Sequence, residues 1–292
     1  MTPDILCIGS VLWDVIGRSS SVMRAGSDVP GRITQLPGGV ALNIAMTLAQ
    51  FGMRPALLTA IGQDAEGDEL IAACKARGMD TSTVYRSDDL PTDRYMAIEG
   101  ANGVIAAIAD AHSLEAAGAK ILKPLMDGTL PQPFRGPVAL DGNLTLDLLA
   151  EIASSPLLAK ADLRVAPASP GKAERLMPFL THSHGTLYVN LEEAGVLCQT
   201  TFTRSSSAAE ALVARGAARA LVTNGGDTAS EATADATLTE TPPQVLVTRV
   251  TGAGDTFMAA HIAAERKGVD RTQAFQNALQ AAATYVSGET PE

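Results

Sequence analysis

The stretch Val250-Thr251-Gly252-Ala253-Gly254-Asp255 decides how the rest of this chain is read. An apolar, strand-like run, Val245-Leu246-Val247, leads into it, and an Ala-rich run of helical character, Phe257 to Ala264, follows. Two glycines at a strand-to-helix turn let the backbone approach a ligand closely. The unbonded N–H groups of the helix's first turn then point at that ligand and favour an anion such as phosphate. Asp255 is an acid in the same turn, where a carboxylate would repel a bound phosphate. Its presence is accounted for by a general base that takes the proton from a hydroxyl attacking that phosphate. An anion cradle with a base beside it spells phosphoryl transfer to an alcohol.

Outward from this turn, apolar β-type runs alternate with helical runs through most of the 292 residues. Strands are expected over 4–9, 56–61, 137–140, 163–166, 187–189 and 220–223. Helices are expected over 39–50, 66–77, 144–153, 172–180, 191–198 and 207–214, with a last one starting at Asp270. Gly52, Gly78 and Gly216 stand where helices should end. Ser207 with Glu210, and Asp270 with Gln273, have the three-residue spacing of N-terminal capping pairs. The last helix carries an apolar stripe of Ala274, Phe275, Ala278, Leu279 and Ala282. Repeated βα units predict an α/β fold with a doubly wound, mostly parallel sheet flanked by helices.

Residues 11–37 and 92–109 break that rhythm. The second reads as a hairpin, Arg94–Glu99 and Val104–Ala109, about a turn at Ala101-Asn102-Gly103. The two pieces can pair into a small β-sheet outside the main one, either a lid over a cleft or a surface decoration. No linker or low-complexity tract cuts the chain, so a single domain over 1–292 is expected.

Bulk properties narrow the partners. The hydrophobic content of 46% supplies a sizeable core, and the net charge of −10 argues against nucleic acid, which needs a basic surface. No apolar run reaches membrane-spanning length. The opening Met1-Thr2-Pro3-Asp4 has no basic, apolar leader pattern. Cys7, Cys74 and Cys198 lie far apart without metal-ligand spacing, as buried thiols of a reducing cytoplasm would. His182 and His184 lack a third ligand nearby and read as a polar loop before a metal pair.

A second glycine-rich site, Gly38-Gly39-Val40-Ala41-Leu42-Asn43, opens a helix. Asn43 lies one turn in from Gly39 on the same face, and an amide there both donates to and accepts from sugar hydroxyls. Alone, this is no more than a tight turn. Together with Thr251–Asp255, and with Gly52 and Gly62 downstream, it resembles the two signatures of the PfkB (ribokinase-like) family of sugar and nucleoside kinases. Other landmarks fall in order: Gly9-Ser10 with Asp14, Asn190-Leu191-Glu192-Glu193, Thr223-Asn224-Gly225, and Phe275-Gln276-Asn277-Ala278.

The resemblance implies a ribokinase-like fold with a small β-lid, ATP and Mg²⁺ as phosphate donor and cofactor, and a homodimer formed through the lid. It implies that Asp255 is the base and that the N–H groups of Gly252, Ala253 and Gly254 form the anion hole. Asp14, Gly38, Gly39, Asn43 and Asn143 would bind the acceptor. Asn190, Thr223, Gly225, Gly252, Gly254 and Asn277 would bind ATP, and Glu193 would act on Mg²⁺ through water. With an ordinary carboxyl pKa of about 3.9, proton transfer to Asp255 would come late, after the new O–P bond begins to form. Plainer readings stand beside these: Asp14 as a turn cap, Glu193 as an exposed first-turn acid, Asn277 as a polar helix flank.

Many members carry Asp-Thr before the second signature, the Asp belonging to a monovalent-cation site. Here Arg249-Val250 stands there, so potassium activation is expected to be weak or absent. The segments Arg94–Ile98, Ala107–Asp110 and Leu140-Asp141-Gly142-Asn143 are similar to those of the family's bacterial pseudouridine kinases. That points to the 5′-hydroxyl of pseudouridine as acceptor, with a ribokinase-type pentose or another nucleoside as the alternative. A non-catalytic sugar or nucleoside sensor is the rival class, and Asp255 argues against it. A dinucleotide fingerprint is excluded by Phe257 at its third-glycine position, and a P-loop by Gly171-Lys172-Ala173, which lacks the hydroxyl residue.

Overall fold

A computed structural model describes residues 2–24, 26–181 and 185–288. The His182/His184 pair lies outside the described residues. The strands in chain order are β1 (Ile5–Ile8), β2 (Leu12–Arg18), β3 (Arg32–Gly38), β4 (Pro55–Leu58), β5 (Ala60–Gly62), β6 (Tyr85–Ser87), β7 (Arg94–Gly100), β8 (Gly103–Asp110), β9 (Pro137–Asp141), β10 (Asp162–Ala166), β11 (Gly185–Asn190), β12 (Arg219–Thr223), β13 (Ala229–Thr233) and β14 (Thr237–Glu240). The α-helices are α1 (Val40–Gln50), α2 (Ala65–Ala76), α3 (His112–Ala117), α4 (Lys123–Met126), α5 (Leu146–Ser154), α6 (Met177–Thr181), α7 (Leu191–Cys198), α8 (Ser205–Ala214), α9 (Ala253–Arg266) and α10 (Arg271–Ser287).

The main sheet has 8 strands in the order β14-β13-β12-β11-β10-β9-β1-β4. β4, β1, β9, β10, β11 and β12 run parallel, and β13 and β14 return antiparallel at one edge. Strands covered on both faces must be apolar throughout, and β1, β4 and β9 are buried at every position. One core layer sets α1, α2, α9 and α10 against the sheet; the other sets α3, α5, α7 and α8 against the opposite face. The expected doubly wound, mostly parallel α/β sheet is the architecture found.

α9 carries the Asp255 turn, and it is apolar almost all round because it is buried almost all round. Phe257, Met258, Ala259, Ala260, Ile262 and Ala263 are each no more than 4% exposed. Its run of alanines lets it lie close between α1 and α10, and burying Phe257 alone contributes roughly 2–3 kcal/mol. Its C-terminal half is tied down by a buried polar network. Tyr188 Oη meets His261 Nδ1 at 2.8 Å, and Glu265 takes ion pairs from Arg164 (2.6 Å) and Arg219 (2.5 Å). Burial pushes the His261 imidazole down to about 3, so it sits there neutral.

A separate 4-stranded sheet, β3-β2-β7-β8, is built from the two segments that broke the βα rhythm. Register puts Asp14 opposite Leu36 and Tyr95 on one face, and Val15, Met96 and Ile108 in line on the other. That second face is apolar and open: Ile33, Met96, Ile98 and Ile108 are 80%, 48%, 42% and 68% exposed.

Several local expectations are corrected. Val245-Leu246-Val247 is no strand: it is irregular and exposed, with Leu246 81% exposed. Pro242-Pro243 ends the edge pairing after β14, since proline offers no N–H to a ladder, and the chain crosses to α9 outside the sheet. The single strand expected over 56–61 breaks at Thr59, where the chain leaves β1 and pairs with β6 instead. α8 starts at Ser205 without a side-chain cap, so Ser207 and Glu210 make no capping box; the Ser205 hydroxyl turns inward to donate to the Thr228 carbonyl at 2.7 Å. Residues 170–176 form a 3₁₀ turn before α6, in place of one continuous helix. On α10 the inner stripe ends on Ala283 and not Ala282, while Asp270 caps Gln273 N–H as expected.

Candidate active site

Parallel pairing places the ends of β1, β9, β10, β11 and β12 along one edge of the main sheet, the edge where open α/β sheets bind ligands. Ser10, Asp141, Asn143, Lys172, Asn190 and Thr223 all follow or end those strands. α1 and α9 begin at the same edge, and their side chains meet: Asn43 Nδ2 donates to Asp255 Oδ2 at 2.9 Å. The two glycine motifs, 212 positions apart, are therefore one site.

Asp255 is half-buried near the start of α9. Burial pushes its carboxyl up to about 7, helped by the negative charges of Asp141, Asp14 and Glu193 and opposed by the Asn43 hydrogen bond. This differs from the ordinary carboxyl assumed from sequence. Asp14, on β2, is pushed up to about 6 by burial. Gly38 ends β3 beside it, and a β-carbon at 38 would lie 2.1 Å from Asp14 Oδ2.

The turn before α9 has the form of an anion cradle. Gly252 holds φ +89°, a left-handed conformation that suits glycine. Ala253 N–H is not available as expected: it already donates to the Val250 carbonyl at 3.1 Å, closing the turn. Among the described residues, the N–H groups of Gly252, Gly254 and Asp255 have no acceptor in the protein.

The turn is held from behind by α10. Tyr285 Oη donates to the Thr251 carbonyl at 2.8 Å and fills the space where a Gly252 side chain would go. Arg249 lies over the Tyr285 ring at 3.8 Å, and its Nε donates to the Tyr285 carbonyl at 2.7 Å. The exposed Arg249 guanidinium thus rests on the ring whose hydroxyl packs against Gly252.

Asp141, which sequence reasoning quoted but did not assign to the site, is its structural centre. It is fully buried, and its Oδ2 accepts from Ser10 N (2.8 Å), Ser10 Oγ (2.8 Å) and Ala41 N (3.0 Å), while Oδ1 accepts from Asn143 N (2.8 Å). One carboxylate thus ties the turn after β1, the start of α1 and the loop after β9. A lone acid at the carboxyl end of the apolar run Val138-Ala139-Leu140 was the available signal. Ser10 Oγ also accepts from Val40 N and Asn143 Nδ2, both at 2.9 Å.

Asn190 and Glu193 form a reciprocal capping box on α7: Glu193 N donates to Asn190 Oδ1 (2.9 Å) and Asn190 N to Glu193 Oε2 (2.8 Å). Capping alone therefore explains the Asn-x-x-Glu spacing. Glu193 is buried at 7% exposure, not an exposed first-turn acid, and burial raises its pKa. Thr223 and Gly225 stand at the end of β12, Gly225 with φ +56°. Asn277 is exposed on α10, its Oδ1 accepting from Gln273 Nε2. No described contact joins Thr223, Gly225 or Asn277 to the Asn43–Asp255 pair.

The profile of the pfkB family carbohydrate kinases matches residues 2–290. The chain belongs to the pfkB family. Among relatives of this pfkB kinase, the pseudouridine kinase of Escherichia coli K12 is 29% identical over 261 residues, 87% of this chain and 81% of that one. The uncharacterized sugar kinase YeiI of the same organism is 30% identical over 192 residues, 65% of this chain but only 51% of that longer protein. Among solved structures, a carbohydrate kinase from Agrobacterium tumefaciens superposes with a TM-score of 0.81 at 24% identity, covering 97% of this chain and 90% of that one. A ribokinase from Thermotoga maritima superposes with a TM-score of 0.78 at 20% identity, covering 98% of this chain and 93% of that one, so the pfkB kinase has the ribokinase-like fold. No described helix is long and apolar enough to cross a membrane.

Proposed function

We propose that this pfkB sugar or nucleoside kinase transfers the γ-phosphoryl group of ATP to the 5′-hydroxyl of pseudouridine. The observation that carries the reading is the Asn43–Asp255 contact: it sets a carboxylate of raised pKa beside a turn of unbonded N–H groups. The relative named for pseudouridine, aligned over most of the chain, supports the acceptor. Turnover of a panel of pentoses and nucleosides with ATP tests it; ribose used far better than pseudouridine would refute the acceptor.

In this mechanism Asp255 orients the acceptor hydroxyl and takes its proton, while Gly252, Gly254 and Asp255 N–H hold the charge of the transferring group. A carboxyl near 7 is a stronger base than one near 4, so proton transfer need not wait as long on O–P bond formation. Asp14, Asn43 and Asn143 bind acceptor hydroxyls, with Gly38 and Gly39 letting the acceptor come close. Asn190, Thr223, Gly225 and Asn277 flank the nucleotide. The four-stranded sheet covers the cleft as a lid with its Asp14 face inward. Its open apolar face pairs two copies into a homodimer; a monomer in sedimentation equilibrium would rule that out.

The residues fit Mg²⁺ held mainly by substrate phosphates. Among the described residues no group of three or more His, Cys, Asp or Glu could cage a metal, and Glu193 offers one carboxylate for a water-mediated contact. Bound there, the ion would neutralise phosphate charge. The three free cysteines suit a reducing cytoplasm.

Two results are expected. Because Asp255 must be ionised to act, kcat/KM falls as pH drops through about 7 and levels off above it. A profile flat down to pH 5 would contradict that role. Activity is also independent of potassium, because Arg249 stands where many family members carry the Asp of a monovalent-cation site. Several-fold activation on replacing choline chloride with KCl would show otherwise.

A further inference from the structure

Lys172 lies in the 3₁₀ turn after β10, half-buried, and its Nζ donates to Asn143 Oδ1. That contact fixes the amide: Asn143 Nδ2 is left to donate to Ser10 Oγ at 2.9 Å. The polar floor of the site runs as a connected series, from Asp255 to Asn43 on α1, through Ala41 N–H to Asp141, then to Asn143 and Lys172. Asp255 stands at one end and an ammonium at the other.

That ammonium is under-used. Among the described residues no carboxylate pairs with it; the nearby Glu115 is taken by Arg175 at 2.9 Å. Arg175 also donates to the carbonyls of Gly142, Asn143 and Leu144, so it is spent on the loop. Burial and the Arg175 charge hold the Lys172 pKa below its ordinary value. A half-buried ammonium with one acceptor has N–H groups left for another. A nucleoside acceptor carries no carboxylate, and the carbonyl oxygens of its base are its strongest neutral acceptors for such a donor.

The geometry points to Lys172 as a specificity-determining residue that receives a carbonyl oxygen of the heterocyclic base of a nucleoside acceptor. The assignment rests on the nucleoside reading above: the hydroxyl to be phosphorylated lies at Asp255, and the base lies at the far end of the floor. It makes Lys172 a discriminator between a nucleoside and the bare pentose, which reaches Asp255 but has no base carbonyl.

The test is steady-state kinetics of the wild type, K172M and K172Q with pseudouridine and with ribose, using enzymes whose thermal melts match. The ratio of kcat/KM for pseudouridine to that for ribose is expected to fall at least tenfold in K172M, mostly through the pseudouridine KM. K172Q, which keeps an N–H donor, is expected to recover part of it, and it carries the comparison alone if K172M does not fold. An unchanged ratio overturns the assignment. So do equal losses on both substrates, the mark of a lysine that only orders Asn143. A wild type that uses ribose and ignores pseudouridine removes the nucleoside reading itself, and is seen before any variant is made.

Discussion

Asp255→Asn lowers kcat by about 10³-fold or more while leaving the acceptor bound. Loss of a general base alone costs roughly 10²–10⁴-fold. The substituted amide keeps the shape of the carboxylate and can still accept from Asn43 Nδ2, so α9 and the cradle keep their places. On the proposed mechanism, what disappears is the group that takes the proton and aims the oxygen. Single-turnover kinetics reads the chemical step, and calorimetry reads acceptor binding in the same variant. A variant within tenfold of wild type would move the base elsewhere. A protein that binds its ligand identically and turns nothing over in either form would be a sensor, not a kinase.

Asp141→Ala has the largest expected effect on stability. The carboxylate is fully buried and takes the N–H groups of Ser10, Ala41 and Asn143 with the Ser10 hydroxyl. Alanine leaves these donors buried and unpaired, each at a cost of about 1–3 kcal/mol before relaxation or water entry. A net loss of roughly 3–5 kcal/mol lowers Tm by about 10 °C in a domain of this size. Activity falls as well, because the start of α1, and Asn43 with it, loses its tether to β9. Asp141→Asn, which keeps one acceptor oxygen, should fall between. A melting temperature within 2 °C of wild type in Asp141→Ala, by the measure of about 2–4 °C per kcal/mol, would show that another group or water takes over.

The expectations that held rest on strong local physics. The parallel strands announced themselves as short apolar runs because both their faces are covered. The two glycine motifs were legible because close backbone approach leaves few alternatives at Gly38 and Gly252. Val245-Leu246-Val247 misled because a three-residue apolar run carries no period, and nothing local says whether it faces a sheet or water. β13 and β14, rich in Ala, Ser, Thr and Glu, went unread because their pairing with β12 and with each other supplies what composition does not. Asp141 was hidden for a related reason. Its partners are backbone N–H groups of residues 131 and 100 positions away, which no side-chain pattern encodes. Lys172 was read only as the start of a helix and as part of a failed P-loop, since its contact with Asn143 depends on two loops meeting at the sheet edge.

Gly38 and Asp14 constrain the order in which this chain can change. A β-carbon at 38 would stand 2.1 Å from Asp14 Oδ2 and force the carboxyl aside. A lineage that first acquires alanine at 38 therefore passes through a protein whose Asp14 carboxyl is displaced, and on the proposed reading that carboxyl binds the acceptor. One that first shortens Asp14 opens the room and can then fill it. The two positions should vary as a pair among descendants, with the acid lost before the glycine, and libraries that randomise 38 alone should return glycine.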